Sequence, residues 1–250
     1  MHEFLSSTVL LAAPIFVLAG FVKGVIGMGL PTVAIGLLGA VMPPAQAAAM
    51  LVVPSLVTNV WQLLTGPRFL PLLRRLWTML LGFCAGTWMA AGTLTGNASG
   101  RAGMLLGLAL MLYAVFGLVG KRFHVSARAE PWLSPVIGVA TGIVAGSTGV
   151  FVIPAVPYLQ ALSLERDELV QALGLSFTVS TIALGLVLAF DGTLLASTAV
   201  VSFAALLPAL AGMFAGQWLR GRIPVHTFRL CFFGGLLLLG AHLAIHGWLH

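Results

Sequence analysis

The sequence predicts an all-α integral membrane protein: two inverted-topology repeats, each a glycine-broken helical hairpin followed by three transmembrane helices. Three observations predict it. Hydrophobic residues make up 60% of the chain and charged residues 7%, against about 25% charged in soluble domains. Apolar runs recur from end to end with only short charged clusters between them. The same glycine motifs then appear in the same order in both halves.

Taken in order, the first apolar run, Phe4–Val41, follows "MHEFLSS". It has no basic stretch ahead of it, so it is expected to stay in the mature protein rather than act as a signal peptide. As one helix it would reach roughly 50 Å or more at 1.5 Å per residue, well beyond a hydrocarbon core of about 30 Å. The same holds for Trp132–Leu164. Each carries a glycine-rich interruption followed by proline, "GVIGMGLP" ending at Pro31 and "GIVAGSTGVFVIP" ending at Pro154. Each therefore reads as two shorter helices joined inside or near the membrane. Six further segments suit one crossing apiece. They are Ala45–Thr65, Leu76–Leu94, Ala102–Gly120, Leu169–Phe190, Thr193–Leu219 and Leu230–Leu249.

The repeat is carried by motif order. Gly20-x-x-x-Gly24 returns as Gly138-x-x-x-Gly142, and "GFCAGTW" at 82–88 returns as "GMFAGQW" at 212–218. Arg101 and Arg229 each precede the last helix of a half. The organisation expected is a single membrane domain over 1–250. Residues 1–120 form the first repeat, a basic cytoplasmic linker covers 121–131, and 132–250 form the second repeat.

Charge sets the relative orientation of the halves. If each broken segment leaves and returns on one face, Arg68, Arg74, Arg75, Lys121, Arg122, Arg128, Arg166, Arg220, Arg222 and Arg229 fall on one side, with Arg101 opposite. Basic residues collect on the cytoplasmic side, so this arrangement is preferred. It gives each half an odd number of crossings, inverts one half against the other and places both termini outside. The net charge of +6 is read as these loops, and no nucleic-acid partner is expected.

Lys23 is the cation that the first broken segment places among glycines. A charge at the bilayer centre costs at least about 2.5–3.5 kcal/mol, and no carboxylate of the same segment can offset it. A broken helix exposes backbone N–H groups, and half-helix N-termini attract anions. An anionic substrate is therefore the expected partner, held near Lys23 by the breaks Gly27–Met28–Gly29 and Ser147–Thr148–Gly149. The alternative is a lysine that snorkels to an interface or meets a carbonyl at the break. Ser55, Thr58, Asn59 and Gln62 share one face of the second segment, and its counterpart carries Gln171, Ser176, Thr178, Ser180 and Thr181. Of these, Thr58, Asn59, Gln62 and Ser176 are the candidates to line the site, against the alternative of plain interhelical bonding. Thr141 stands where the first half has Lys23.

The remaining polar residues read as structural. Asp191 is expected in a loop, and Glu165, Asp167 and Glu168 as a helix start. His124, His226, His242, His246 and His250 show no ligand spacing supported by carboxylates. Cys84 and Cys231 are isolated and expected to be buried as small apolar side chains. The chain lacks the phosphate loop of an ATPase, a nucleophile–base pair and a dithiol, so neither an enzyme nor a cofactor is expected.

The doubled glycine break before proline, "VTNVWQ" in the second segment and G-x-x-A-G-x-W before a basic turn resemble the sulfite exporter TauE/SafE family, from Gly20 to about His242. The resemblance implies a multi-pass transporter of the bacterial inner membrane. It would move a small sulfur-containing anion such as sulfite or an organosulfonate. The broken, inverted repeats themselves point to alternating access at a midplane site between the repeats, and the lack of a membrane carboxylate favours either uniport or proton coupling through the substrate's own protonation. An anion channel and a carrier of small carboxylates are the alternatives. The glycine runs here, Gly27-Met-Gly29 and Gly146-Ser-Thr-Gly149, are shorter than in many members, so the resemblance does not name the anion.

Overall fold

The structure, a computed structural model, describes residues 2–96, 99–120, 124–194, 196–220, 222 and 224–249. Lys121, Arg122 and His250 lie outside the described residues. The elements are α1 (His2–Ile26), α2 (Leu30–Gly39), α3 (Pro44–Leu64), α4 (Phe69–Met89), α5 (Gly92–Thr95), α6 (Ser99–Val119), α7 (Glu130–Thr148), α8 (Ala155–Ala161), α9 (Arg166–Phe190), α10 (Ala196–Ala204), α11 (Leu206–Leu219) and α12 (Val225–Leu249). No strand occurs among the described residues. Among the described residues, six helices are long and apolar enough to cross a membrane, and they follow the six segments expected. The chain is an all-α, multi-pass membrane protein.

Both long apolar runs break at their glycines. α1 stops at Ile26, and Gly27 and Gly29 take the left-handed backbone (φ 87° and 106°) before α2 resumes with Pro31 in its first turn. That backbone disfavours any side chain with a Cβ, and proline suits a helix start because the N–H it lacks would be unpaired there. α7 ends on Gly149 (φ 73°) in the same way. From there Val150–Ile153, all buried, lead to α8. The Tyr158 and Ser134 hydroxyls lie 2.6 Å apart, so α8 has returned to the starting end of α7. This second segment is a hairpin that enters and leaves at one end.

Packing exchanges partners between the halves. α1 lies against α11, and α7 lies against α4. A methyl on Gly20 would sit 2.0 Å from the Ala209 carbonyl oxygen, and one on Gly24 2.2 Å from that of Met213. In the other pair, Gly138 would meet the Met79 carbonyl at 2.2 Å and Gly142 that of Phe83 at 2.5 Å. The partner glycines reciprocate: a methyl on Gly216 comes within 3.1 Å of the Gly24 Cα, and one on Gly86 within 3.0 Å of the Gly142 Cα. Small residues bring the backbones together where lipid supplies no hydrophobic drive. α3 packs on α9 and α6 on α12, both antiparallel: Val52 meets Gly185 while Leu63 meets Gly174, and Gly107 meets Ala244 while Gly117 meets Phe233.

α3 contains Pro54, which has no N–H for the Met50 carbonyl one turn earlier. The Ser202 hydroxyl of α10 donates to that carbonyl at 2.9 Å and accepts the Val53 N–H at 3.1 Å. A side chain of the second half thus completes a helix of the first.

Polar contacts close the ends. At one end Arg75 donates to both Glu130 carboxylate oxygens at 2.6 and 2.8 Å, and Arg68 pairs with Glu168 at 3.1 Å. At the other, Thr95 donates to Asp191 at 2.8 Å beside the Trp88–Phe190 ring contact. Glu165 and Glu168 form a capping box on α9, as the acidic cluster suggested. One expectation is overturned: Cys84 and Cys231 are exposed rather than buried. They lie on outward faces of apolar helices, where lipid replaces the protein interior as the apolar surroundings.

Candidate functional site

Lys23 lies in the last turn of α1, three residues before Ile26 and the break. It is 4% exposed, so its ammonium does not reach an interface. Nζ donates to Thr58 Oγ1 at 3.1 Å and to Asn59 Oδ1, both on α3. An ammonium has three donors, and two are spent on these neutral groups. Among the described residues no carboxylate pairs with it. The C-terminal end of α1 contributes its partial negative charge.

The partners are themselves fixed. Thr58 donates to the Pro54 carbonyl at 2.7 Å, leaving its lone pair for Lys23. Asn59 reaches across to the second half, where Nδ2 donates to Thr181 Oγ1 on α9 at 3.4 Å. The Thr181 hydroxyl donates in turn to the Phe177 carbonyl at 2.6 Å. A directed chain of hydrogen bonds therefore runs from the ammonium through Asn59 to the backbone of α9.

Thr181 also lines a small cleft, together with Pro31, Ser55, Gly149 and the apolar side chains of Leu51, Val52, Phe151 and Leu184. Both helix breaks border it, one through Pro31 and the other through Gly149. Ser55 and Thr181 fall close to the middle of α3 and α9. The cleft thus lies deep between the halves.

The structure brings Lys23, Thr58 and Asn59 into direct contact and sets Gly149 on the cleft. It sends other candidates elsewhere. Gln62 Nε2 donates to the Val170 carbonyl at 2.9 Å, while its Oε1 is buried without a partner. Met28 receives the Tyr113 hydroxyl on its sulfur at 3.3 Å, toward α6. The Ser147 hydroxyl turns back to the Ile143 carbonyl of its own helix, and Thr148 to that of Val144 at 2.6 Å. Ser176 is fully buried and unpartnered. Gly27 and Gly29 form the turn of the first break.

Gln171 bonds the Leu63 and Gly66 carbonyls at 2.9 and 2.8 Å and accepts the Arg68 N–H at 2.8 Å. It caps the end of α3. Thr181 and Ser55, two of several hydroxyls in their segments, gain a place at the cleft that spacing alone does not distinguish. Among the described residues no His, Cys, Asp and Glu group could hold a metal.

Comparison with known proteins bears on what such a site handles. The family model described as "Sulfite exporter TauE/SafE" matches residues 12–243. No curated protein and no solved structure matches the chain.

Proposed function

From its membership in the sulfite exporter TauE/SafE family, we propose that the chain is a secondary transporter, and not an enzyme, that carries a small sulfur-containing anion through the cleft beside Lys23. The observation that carries this reading is an enclosed ammonium held by an amide and a hydroxyl, with no carboxylate partner among the described residues, near where two broken helices meet. Neutral partners solvate the ammonium without neutralising it, so its charge is left for an arriving anion. The low dielectric of the surroundings strengthens that attraction.

The inverted repeat belongs to the same reading. Its support is the exchange of partners, with α1 on α11 and α7 on α4, together with corresponding helices that run antiparallel, α3 with α9 and α6 with α12. Alternating access then opens the cleft to either side while the close α1–α11 and α4–α7 pairs stay together. The end bearing Arg68, Arg75 and the linker would face the cytoplasm by the positive-inside rule, in a bacterial inner membrane. Protons enter on the substrate, since the cleft has no carboxylate among its lining residues. The contacts at both ends, Arg75–Glu130 and Thr95–Asp191, fit a carrier that closes on either side better than an open channel.

The test is flux in proteoliposomes across sulfite, thiosulfate, sulfoacetate, taurine and acetate, with wild type beside Lys23→Ala. Saturable flux of a sulfur-containing anion, reduced at least about a hundredfold in the variant while its melting temperature holds, is the expected result; the loss corresponds to a desolvated charge contact of about 3 kcal/mol. Acetate as the preferred solute would redirect the reading to carboxylates, and flux that never saturates would redirect it to a channel. Undiminished flux in Lys23→Ala would remove the lysine from the site.

A further inference from the structure

A buried hydroxyl usually finds a partner, because one left unpaired costs about 1–3 kcal/mol. Among the described residues, five buried side-chain oxygens lack one: Thr32 Oγ1, Ser55 Oγ, Gln62 Oε1, Thr87 Oγ1 and Ser176 Oγ. Only Ser55 belongs to a residue lining the cleft between the breaks, and it is 1% exposed. It stands one turn before Asn59 on the same face of α3, a separation of about 5–6 Å between Cβ atoms. Across the cleft Thr181 has committed its proton to the Phe177 carbonyl and offers only lone pairs. Thr58 has committed its own to the Pro54 carbonyl. Of the cleft's two hydroxyl-bearing residues, Ser55 alone retains an uncommitted O–H.

We propose that Ser55 is a specificity-determining residue, the donor that takes a second oxygen of the anion whose charge Lys23 receives. The inference rests on the transport reading above and sharpens it. A ligand that uses both groups must present acceptor atoms on two sides, so the site selects an oxyanion over a monatomic halide. The uncommitted hydroxyl is a local stability deficit that bound oxyanion removes.

This gives opposite signs for stability and function, which a structural serine would not. Ser55→Ala deletes an unpaired polar group and breaks no hydrogen bond within the protein. Its melting temperature without ligand should equal or exceed that of wild type. The KM for the transported oxyanion should rise about tenfold or more, the value of a hydrogen bond to a charged group, with the maximal rate nearly kept. Competition by chloride or bromide should not change, because a halide uses Lys23 alone. Ser55→Thr, which restores a hydroxyl, should recover most of the affinity.

The measurements are flux and melting of purified protein with and without sulfite and sulfoacetate. A lower melting temperature in ligand-free Ser55→Ala would mark the serine as structural and overturn the proposal. So would an unchanged oxyanion KM, or halide competition that weakens in step with oxyanion affinity. If wild type shows neither flux nor a melting shift with any anion tested, the transport reading falls and Ser55 with it. If wild type responds and Ser55→Ala responds equally, Ser55 falls alone.

Discussion

The two broken segments share a scaffold and differ in chemistry. In each, a G-x-x-x-G helix presses on the G-x-x-A-G helix of the other half, so that Gly24 meets Gly216 as Gly142 meets Gly86. One position before the second glycine, the first segment has Lys23 and the second has Thr141. Lys23 reaches out to α3, whereas the Thr141 hydroxyl folds back on the Ile137 carbonyl at 2.8 Å. After the breaks the segments diverge as well: α2 runs for 10 residues, while Val150–Ile153 carry no helix and α8 has only 7. The two frames are alike, and only one carries the charge. The lesson is that the glycines answer for the architecture and the side chain before them answers for the site.

The largest effect should come from attacking the shared frame. Gly24→Leu and Gly142→Leu each place a side chain within 2.2–2.5 Å of a facing carbonyl oxygen, where neither backbone can yield without separating the helices. Both should abolish monodisperse folded protein in detergent, judged by size-exclusion chromatography. If one is tolerated, the two crossings are not equivalent.

The difference between the halves is tested next. Thr141→Val removes a hydroxyl spent on its own helix, so flux should stay within about twofold. The same assay in which Lys23→Ala is lost reads it directly. A large loss in Thr141→Val would mean that the second half contributes chemistry after all.

The smallest effect concerns a feature of one half alone. Ser202→Ala should lower stability by about 1–2 kcal/mol, because it leaves the Met50 carbonyl unpaired. Pro54→Ala restores the helix's own donor to that carbonyl, so adding Ser202→Ala to it should cost distinctly less. A double-mutant cycle on thermal melting measures the coupling. α9 has no internal proline, and no hydroxyl of the first half is expected to matter to it in this way.

Much of the fold was legible because membrane architecture is written in run lengths and glycines. An apolar run too long for one crossing must break, and Gly27, Gly29 and Gly149 mark where. The cysteines show where that legibility stops. A helix face toward lipid and one toward protein are both apolar, so hydropathy could not tell the exposed Cys84 and Cys231 from core residues. The site was legible in its elements and not in its contacts. Spacing put Ser55, Asn59 and Gln62 on one face, but the crossing of α3 and α9 decided that Asn59 meets Thr181 while Gln62 meets the Val170 carbonyl. Ser147 and Thr148 looked like ligands because hydroxyls beside a break are free to point outward. Theirs bond the preceding turn instead. Ser202 passed without notice: Pro54 announces that a carbonyl needs a donor, and nothing nearby in the chain says which helix brings it.

The crossed pairing of α1 with α11 also has a consequence for synthesis. The glycine face of α1 enters the bilayer long before its partner exists, since about 180 residues separate the end of α1 from the start of α11. At roughly 5–20 residues per second that interval is on the order of 10–40 s. For most of it the nascent first half has neither its proper neighbour nor the Thr181 hydroxyl of α9 that completes the Lys23–Asn59 chain. The two halves made as separate polypeptides should therefore be unstable alone and recover together, each acting as the folding template for the other.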